Sequence, residues 1–184
     1  MQSYPDICDI HAPCPNEFNM AEYVLAHADI TPEKVVLSVL YNSGARRISY
    51  AKLKSYVLGV AQGLLDAGVE PDDRVLMRLG NTVDFPITYL AAIAIGAVPV
   101  PTSSVLTETE VSKIIADINP TVIVHDGVCA LPDTVHRVLN IEQIEAYKSN
   151  PPTLFHRGDP NRFCLLYTSP SPRDRTRSRM PSSA

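Results

Sequence analysis

From Ser49 to Val124 the apolar residues alternate between two spacings, and this alternation limits the fold more than any other feature of the 184-residue chain. Ser49 stands as a helix cap before Leu53, Val57, Val60, Ala61, Leu64 and Leu65, which share one helical face, and Gly68 follows as a left-handed stop. Short apolar runs and helical stretches then take turns. A strand is predicted over Arg74 to Met77, a helix over Val83 to Ile95 closed by Gly96, a strand over Val98 to Val100, a helix over Thr107 to Ile118, and a strand over Thr121 to Val124. Strands separated by helices pair in parallel, because the helix must carry the chain back across the sheet before the next strand begins. The fold class is α/β.

Either side of this stretch the pattern is simpler. Asn19 is placed to accept a hydrogen bond from a first-turn amide of a helix over Met20 to Ala28. Val35 to Leu40 and Arg46 to Ser49 read as two arms of an antiparallel hairpin, with turn chemistry at Asn42-Ser43-Gly44. Beyond Asp126, Val135 to Leu139 reads as a short strand and Ile141 to Tyr147 as a short helix, before Ser149-Asn150-Pro151-Pro152 breaks the chain.

A hydrophobic content of 45% with 20% charged residues suits one globular domain. A formal charge of −4 supplies no clustered positive charge for nucleic acid or an anionic membrane, so small-molecule chemistry is favoured. Met1 to Pro15 lacks the basic and apolar regions of a secretory leader, and the apolar stretch Tyr89 to Val100 is too short to span a bilayer. A cytoplasmic location with no membrane insertion is expected. Cys8, Cys14, Cys129 and Cys164 are too few and scattered for a disulfide framework, which fits reduced thiols.

The segment Gly68 to Pro101, GVEPDDRVLMRLGNTVDFPITYLAAIAIGAVPVP, is more specific. It resembles the adenylate-forming superfamily of acyl-CoA synthetases, peptide-synthetase adenylation domains and luciferases, whose members show a G-V-x-x-x-D-R-V strand, an Asn at the next helix start and a closing G-A-V-x-V-P. Ser49-Tyr50 with Leu53, leading to Ala67-Gly68-Val69, is similar to the same family's entry segment. Asn81 to Pro86 and the Phe18-Asn19 opening look most like the benzoate-CoA ligase branch. Another doubly wound α/β domain would keep each feature but not their joint order.

The resemblance implies an incomplete N-terminal subdomain of the adenylate-forming fold over residues 18–163, with parallel βαβ units and a small antiparallel hairpin, following a flexible tail over residues 1–17. It implies that the whole enzyme joins a small-molecule carboxylate to AMP using ATP and Mg2+, releases pyrophosphate, and then forms a thioester with CoA. The family's phosphate loop, aromatic-Thr-Glu motif, ribose-binding Asp and mobile-domain Lys are not matched here, so no catalytic residue is assigned and no turnover is expected. The strands are expected to expose apolar sheet surface that later parts of the chain would cover. Tyr167, Thr168 and Ser169 resemble the start of the phosphate loop, but Pro170 stands where Gly should bring an amide to the phosphate.

Residues 164–184 have a different explanation. From Pro170 onward the composition is Pro, Ser and Arg with almost nothing apolar, and the tail is expected to be disordered. Cys164 to Asp174, CLLYTSPSPRD, back-translates into a transposon-type sequencing-library adapter, and Ser178 to Ala184 fits its distal end. Arg175-Thr176-Arg177 falls where a sample barcode would sit. With the four Arg and one Asp of residues 164–184 set aside, the remainder carries −7.

Other residues receive structural readings. Cys8, His11 and Cys14 offer three zinc donors where a structural site wants four, so no metal is assigned. Arg46 and Arg47 read as a solvated hairpin edge, and Tyr56, Phe85 and Tyr89 as packing residues. His125 and Asp126 fall at the C-terminal end of a predicted parallel strand, where open α/β sheets bind ligands. They carry the alternative to a ligase fragment: a stand-alone noncatalytic module for ligand binding or interaction.

Overall fold

The strand β3 (Arg74–Arg78) is buried from Val75 onward, and the rest of the sheet is arranged around it. In this computed structural model, which describes residues 16–42, 44–162 and 165–166, β3 pairs in parallel with β4 (Val98–Pro101) on one side and β5 (Val122–His125) on the other. A short β6 (Arg137–Asn140) extends the sheet beyond β5, giving the order β4-β3-β5-β6. The two-stranded hairpin is separate, β1 (Val35–Tyr41) against β2 (Gly44–Ser49). Parallel βαβ units with a small antiparallel hairpin are therefore the architecture.

Alternation along the strands divides the core. Val75, Met77, Val122, Val124 and Leu139 face the larger cluster, covered by α2 (Tyr50–Asp66), α3 (Asp84–Ala94) and α5 (Ile141–Tyr147). Leu76, Val100 and Ile123 face the other way, against Val111 and Ile115 of α4 (Glu108–Ile118). Side chains that alternate across a pleated strand require this two-faced cover. Leu106, Leu131 and Leu166 pack at the margin of the second cluster, and Leu166 N–H donates to Pro99 O at 3.3 Å. The apolar sheet surface expected to be exposed is buried on both faces of β3, with Leu76, Val100 and Ile123 at 0% exposure, and among the large hydrophobic residues in the described strands of this sheet only Val138 of β6 is exposed. The largest exposures are in loops and the hairpin, at Val105, Val128, Val135, Leu154 and Leu40.

Helix α2 follows the predicted stripe: Leu53, Val57, Val60, Ala61 and Leu64 are buried, with Leu65 packed at the margin. Ser49 Oγ accepts from Lys52 N, and Gly68 takes φ 89°, as its stop requires. The stripe missed Gly59 and Gly63. These glycines leave room for α5: a Cβ at Gly59 would lie 2.6 Å from Tyr147 O, and one at Gly63 would overlap the Tyr147 ring. The next residue, Lys148, is buried and binds Asp84 Oδ1 at 2.6 Å and Glu145, with its ammonium 5.4 Å from the Tyr56 ring centre. Thus α5 is held to both α2 and α3.

The first helix stops early. α1 covers Met20–Leu25 and tightens into a 3-10 turn over Ala26–Asp29, in place of one helix to Ala28. Asn19 caps it through Glu22 N, while its amide donates to the carbonyls of Ile93, Ala94 and His156. An antiparallel bridge between Phe18 and Gly158 closes this corner. Pro99 and Pro101 both lie within the β3–β4 ladder. Pairing survives because Val98 and Thr102 supply amides toward β3, to Asp73 O and Met77 O, leaving the proline nitrogens on the opposite edge. The Val135 to Leu139 strand is observed as Arg137–Asn140, and Val135 is fully exposed.

Candidate functional site at the carboxyl ends of the strands

The chain leaving β4 crosses to the far side of β3 before forming β5. Parallel sheets bind ligands in the crevice outside such a crossover, at the carboxyl ends of the strands. Here that edge consists of the loops after β3, β4 and β5. Asn81, Thr82, Ser103, Ser104, Gly127 and Val128 are exposed along it.

Beneath this rim lies Arg78, a fully buried arginine at the end of β3. Its Nε donates to Ala130 O at 3.0 Å, Nη1 to Thr102 Oγ1 at 3.1 Å and Ser103 O at 2.6 Å, and Nη2 to Leu106 O at 3.4 Å. Thr102 Oγ1 in turn donates to Met77 O at 2.9 Å. One guanidinium therefore joins the loop after β4 to the loop after β5. Burial lowers its pKa, opposed by Cys129 and Asp126, and arginine's high intrinsic basicity keeps it charged. A run of VLMR in a buried parallel strand was the available signal for this residue, which sequence reading did not single out.

Asp126 ties the loop after β5 to the loop after β3. Its Oδ2 accepts from Gly80 N at 2.7 Å and from Cys129 Sγ at 3.2 Å, and its Oδ1 accepts from Val128 N at 2.9 Å and Cys129 N at 2.8 Å. Burial alone would raise this carboxyl, but the amides of Cys129, Val128 and Gly80 outweigh it and hold it at about 2. Burial, and then the Asp126 carboxylate, push the Cys129 thiol up, which keeps it protonated and a poor nucleophile. His125 Nε2 meets Cys129 O at 2.6 Å, so that nitrogen carries the proton and donates. The structure brings His125 and Asp126 together at the crevice, with both side chains bonded to the protein's own loop.

Arg46 and Arg47 lie exposed on the hairpin, and Tyr56, Phe85 and Tyr89 pack against the core. Cys8, His11, Cys14, Tyr167, Thr168 and Ser169 lie outside the described residues, as do most of residues 1–17 and 164–184. No group of three metal-ligating side chains occurs among the described residues. A shallow depression of about 260 Å³ lies away from the crevice, between Ala28, Lys54, Leu58 and Pro152. At the strand ends the buried cation Arg78 and the carboxylate Asp126 are both engaged internally, so neither is free to hold a nucleotide phosphate or Mg2+.

A parallel α/β sheet with its crevice at the carboxyl ends, flanked by a small hairpin, is the N-terminal architecture of adenylate-forming enzymes, and comparison with known proteins agrees. Residues 24–176 match the family described as AMP-binding enzyme, and the chain belongs to that family. The match passes residue 163 and includes Tyr167, Thr168 and Ser169. The 4-hydroxybenzoate–CoA/benzoate–CoA ligase of Rhodopseudomonas palustris is 38% identical over 72 residues, 39% of this chain and 13% of the relative. The long-chain-fatty-acid–CoA ligase FadD13 of Mycobacterium tuberculosis is 28% identical over 138 residues, 67% of this chain and 27% of the relative. A benzoate CoA ligase from Burkholderia xenovorans has the same fold, with a TM-score of 0.66 at 21% identity over 76% of this chain and 30% of that one. The chain thus spans less than a third of the length of each of these proteins.

Proposed function

We propose that this chain is the N-terminal part of an ATP-dependent, AMP-forming carboxylate–CoA ligase, and that it supplies scaffold rather than chemistry. The whole enzyme would convert ATP and a carboxylate to acyl-AMP and pyrophosphate and then pass the acyl group to CoA. The observation that carries the reading is the family match over residues 24–176. Internal bonding at Arg78, Asp126 and His125 supports the scaffold role, because groups already bonded to loop atoms are not available to a developing phosphate charge. ATP, Mg2+ and CoA would be held by parts of the enzyme beyond these residues, and its substrate would be a small carboxylate such as an aromatic or fatty acid. The enzyme would act in the cytoplasm; no helix among the described residues is long and apolar enough to cross a membrane.

The test is ATP–pyrophosphate exchange with benzoate and hexanoate, using this 184-residue chain and the product of the uninterrupted reading frame. Exchange by the longer protein alone supports both parts of the reading. Exchange by the short chain overturns the scaffold assignment, and none by either overturns the ligase assignment. Resequencing the source DNA across the Phe163 codon without an adapter-based library tests the reading of residues 164–184. A frame running on into a Gly-rich loop supports the adapter reading, and a confirmed Pro/Arg tail ending in a stop refutes it.

A second reading, the stand-alone noncatalytic module, draws on the cover over both faces of β3. A natural stop near Phe163 would favour it, and a frame continuing for several hundred codons would remove it.

A further inference from the structure

A buried guanidinium bonded to three carbonyls and a hydroxyl from two loops has more reach than the packing of one strand needs. Burying a charge is costly unless surrounding dipoles replace water, and an apolar side chain would fill a buried parallel strand without that cost. The arrangement does one thing an apolar residue cannot: it fixes loop 102–106 and Ala130 relative to each other from below. Asp126 completes the set by holding Gly80 to Val128 and Cys129. The three strand-end loops are therefore linked in series, β4 loop to β5 loop through Arg78 and β5 loop to β3 loop through Asp126.

We propose that Arg78 is a positioning residue for the ligase reaction: it holds the loops after β4 and β5 in the geometry that forms the floor of the ligand crevice. This rests on the ligase reading above. Arg78 is 0% exposed, so its route to a ligand runs through Thr102, Ser103 and Ala130. Small displacements of positioning groups weaken binding or rate by large factors, which makes such a residue detectable.

The experiment has two readouts. The first uses this chain: hydrogen exchange compared between wild type, Arg78→Met and Arg78→Lys. The Met variant is expected to exchange about tenfold faster at residues 102–106 and 127–131, with the α2 and α3 core unchanged and Lys intermediate. Uniform acceleration across the chain, or none in the two loops, overturns the proposal.

The second readout uses the full-length enzyme with benzoate or hexanoate, whichever it activates. Arg78→Met is expected to raise KM for the carboxylate by about tenfold with kcat changed much less, and Arg78→Lys to recover part of the loss. Leu64→Ala, a core truncation away from the crevice, is the control for general destabilisation and should leave KM alone. Equal effects of Arg78→Met and Leu64→Ala on KM overturn the positioning role. If Arg78→Met fails to fold, Thr102→Val removes one of the same links with little change in shape. It should accelerate exchange at residues 102–106, and unchanged exchange there overturns the proposal. Absence of ligase activity in the wild-type full-length enzyme refutes the ligase reading and leaves the loop-exchange result to decide whether Arg78 organises the loops.

Discussion

Asp126 is the residue whose environment carries the clearest solution signature. Its folded carboxyl at about 2 lies below the ordinary 3.8, because three amides reward the charged form. A depressed carboxyl stabilises the fold above its unfolded value, so the contribution is complete above about pH 4 and disappears as pH falls through about 2. Its size is roughly 1–2 kcal/mol after allowance for partial solvent screening. Denaturant unfolding at several pH values between 2 and 5 should show Asp126→Asn losing part of the wild type's acid sensitivity. Equal slopes for the two proteins would assign that sensitivity to other carboxylates. The position of Asp126 was legible in the sequence because, with His125, it closes a β-branched run ending at Val124. Its partners were not, since Gly80 lies on another strand's loop and only the fold brings that amide to 2.7 Å.

At the scale of elements, local signals were read well and contacts between elements poorly. The Ser49 cap of α2, the Asn19 cap of α1 and the bounds of α5 depend on neighbours three or four residues away, which a sequence displays directly. The packing of α5 on α2 depends instead on two residues without side chains, Gly59 and Gly63, which a hydrophobic stripe does not register. Gly63→Ala should therefore destabilise the chain despite the better helix propensity of alanine, by about 1–3 kcal/mol from overpacking against Tyr147. Tyr147→Ala in the same protein should relieve the clash, so a double-mutant cycle gives a non-additive energy. Simple additivity would place the cost of Gly63→Ala elsewhere.

For the whole molecule, the sheet's two-sided cover decides how the chain should unfold. The second face is closed by residues as far apart in sequence as Leu106, Leu131 and Leu166, so losing any one part exposes the same strands. A single cooperative transition is expected, with far-UV circular dichroism and tyrosine fluorescence coincident in urea, and little binding of a hydrophobic dye beforehand. Separate transitions, or strong dye binding in buffer, would show that this cover is not maintained in solution. The family was legible from Gly68 to Pro101 because strand and helix-end residues occur there in an ordered run. The closed second face was not, because it depends on where loop residues land.

The prolines of β4 have one more effect. Along a parallel strand, alternate residues turn their amide and carbonyl toward opposite neighbours, and in β4 the residues turned away from β3 are Pro99 and Pro101. The β4 margin of the sheet can thus accept hydrogen bonds but has no proton to offer at either residue. Leu166 is the kind of neighbour this margin admits, one that arrives carrying its own N–H. At this margin the sheet is chemically one-directional: it takes a strand that donates and has no N–H at Pro99 or Pro101 to give in return.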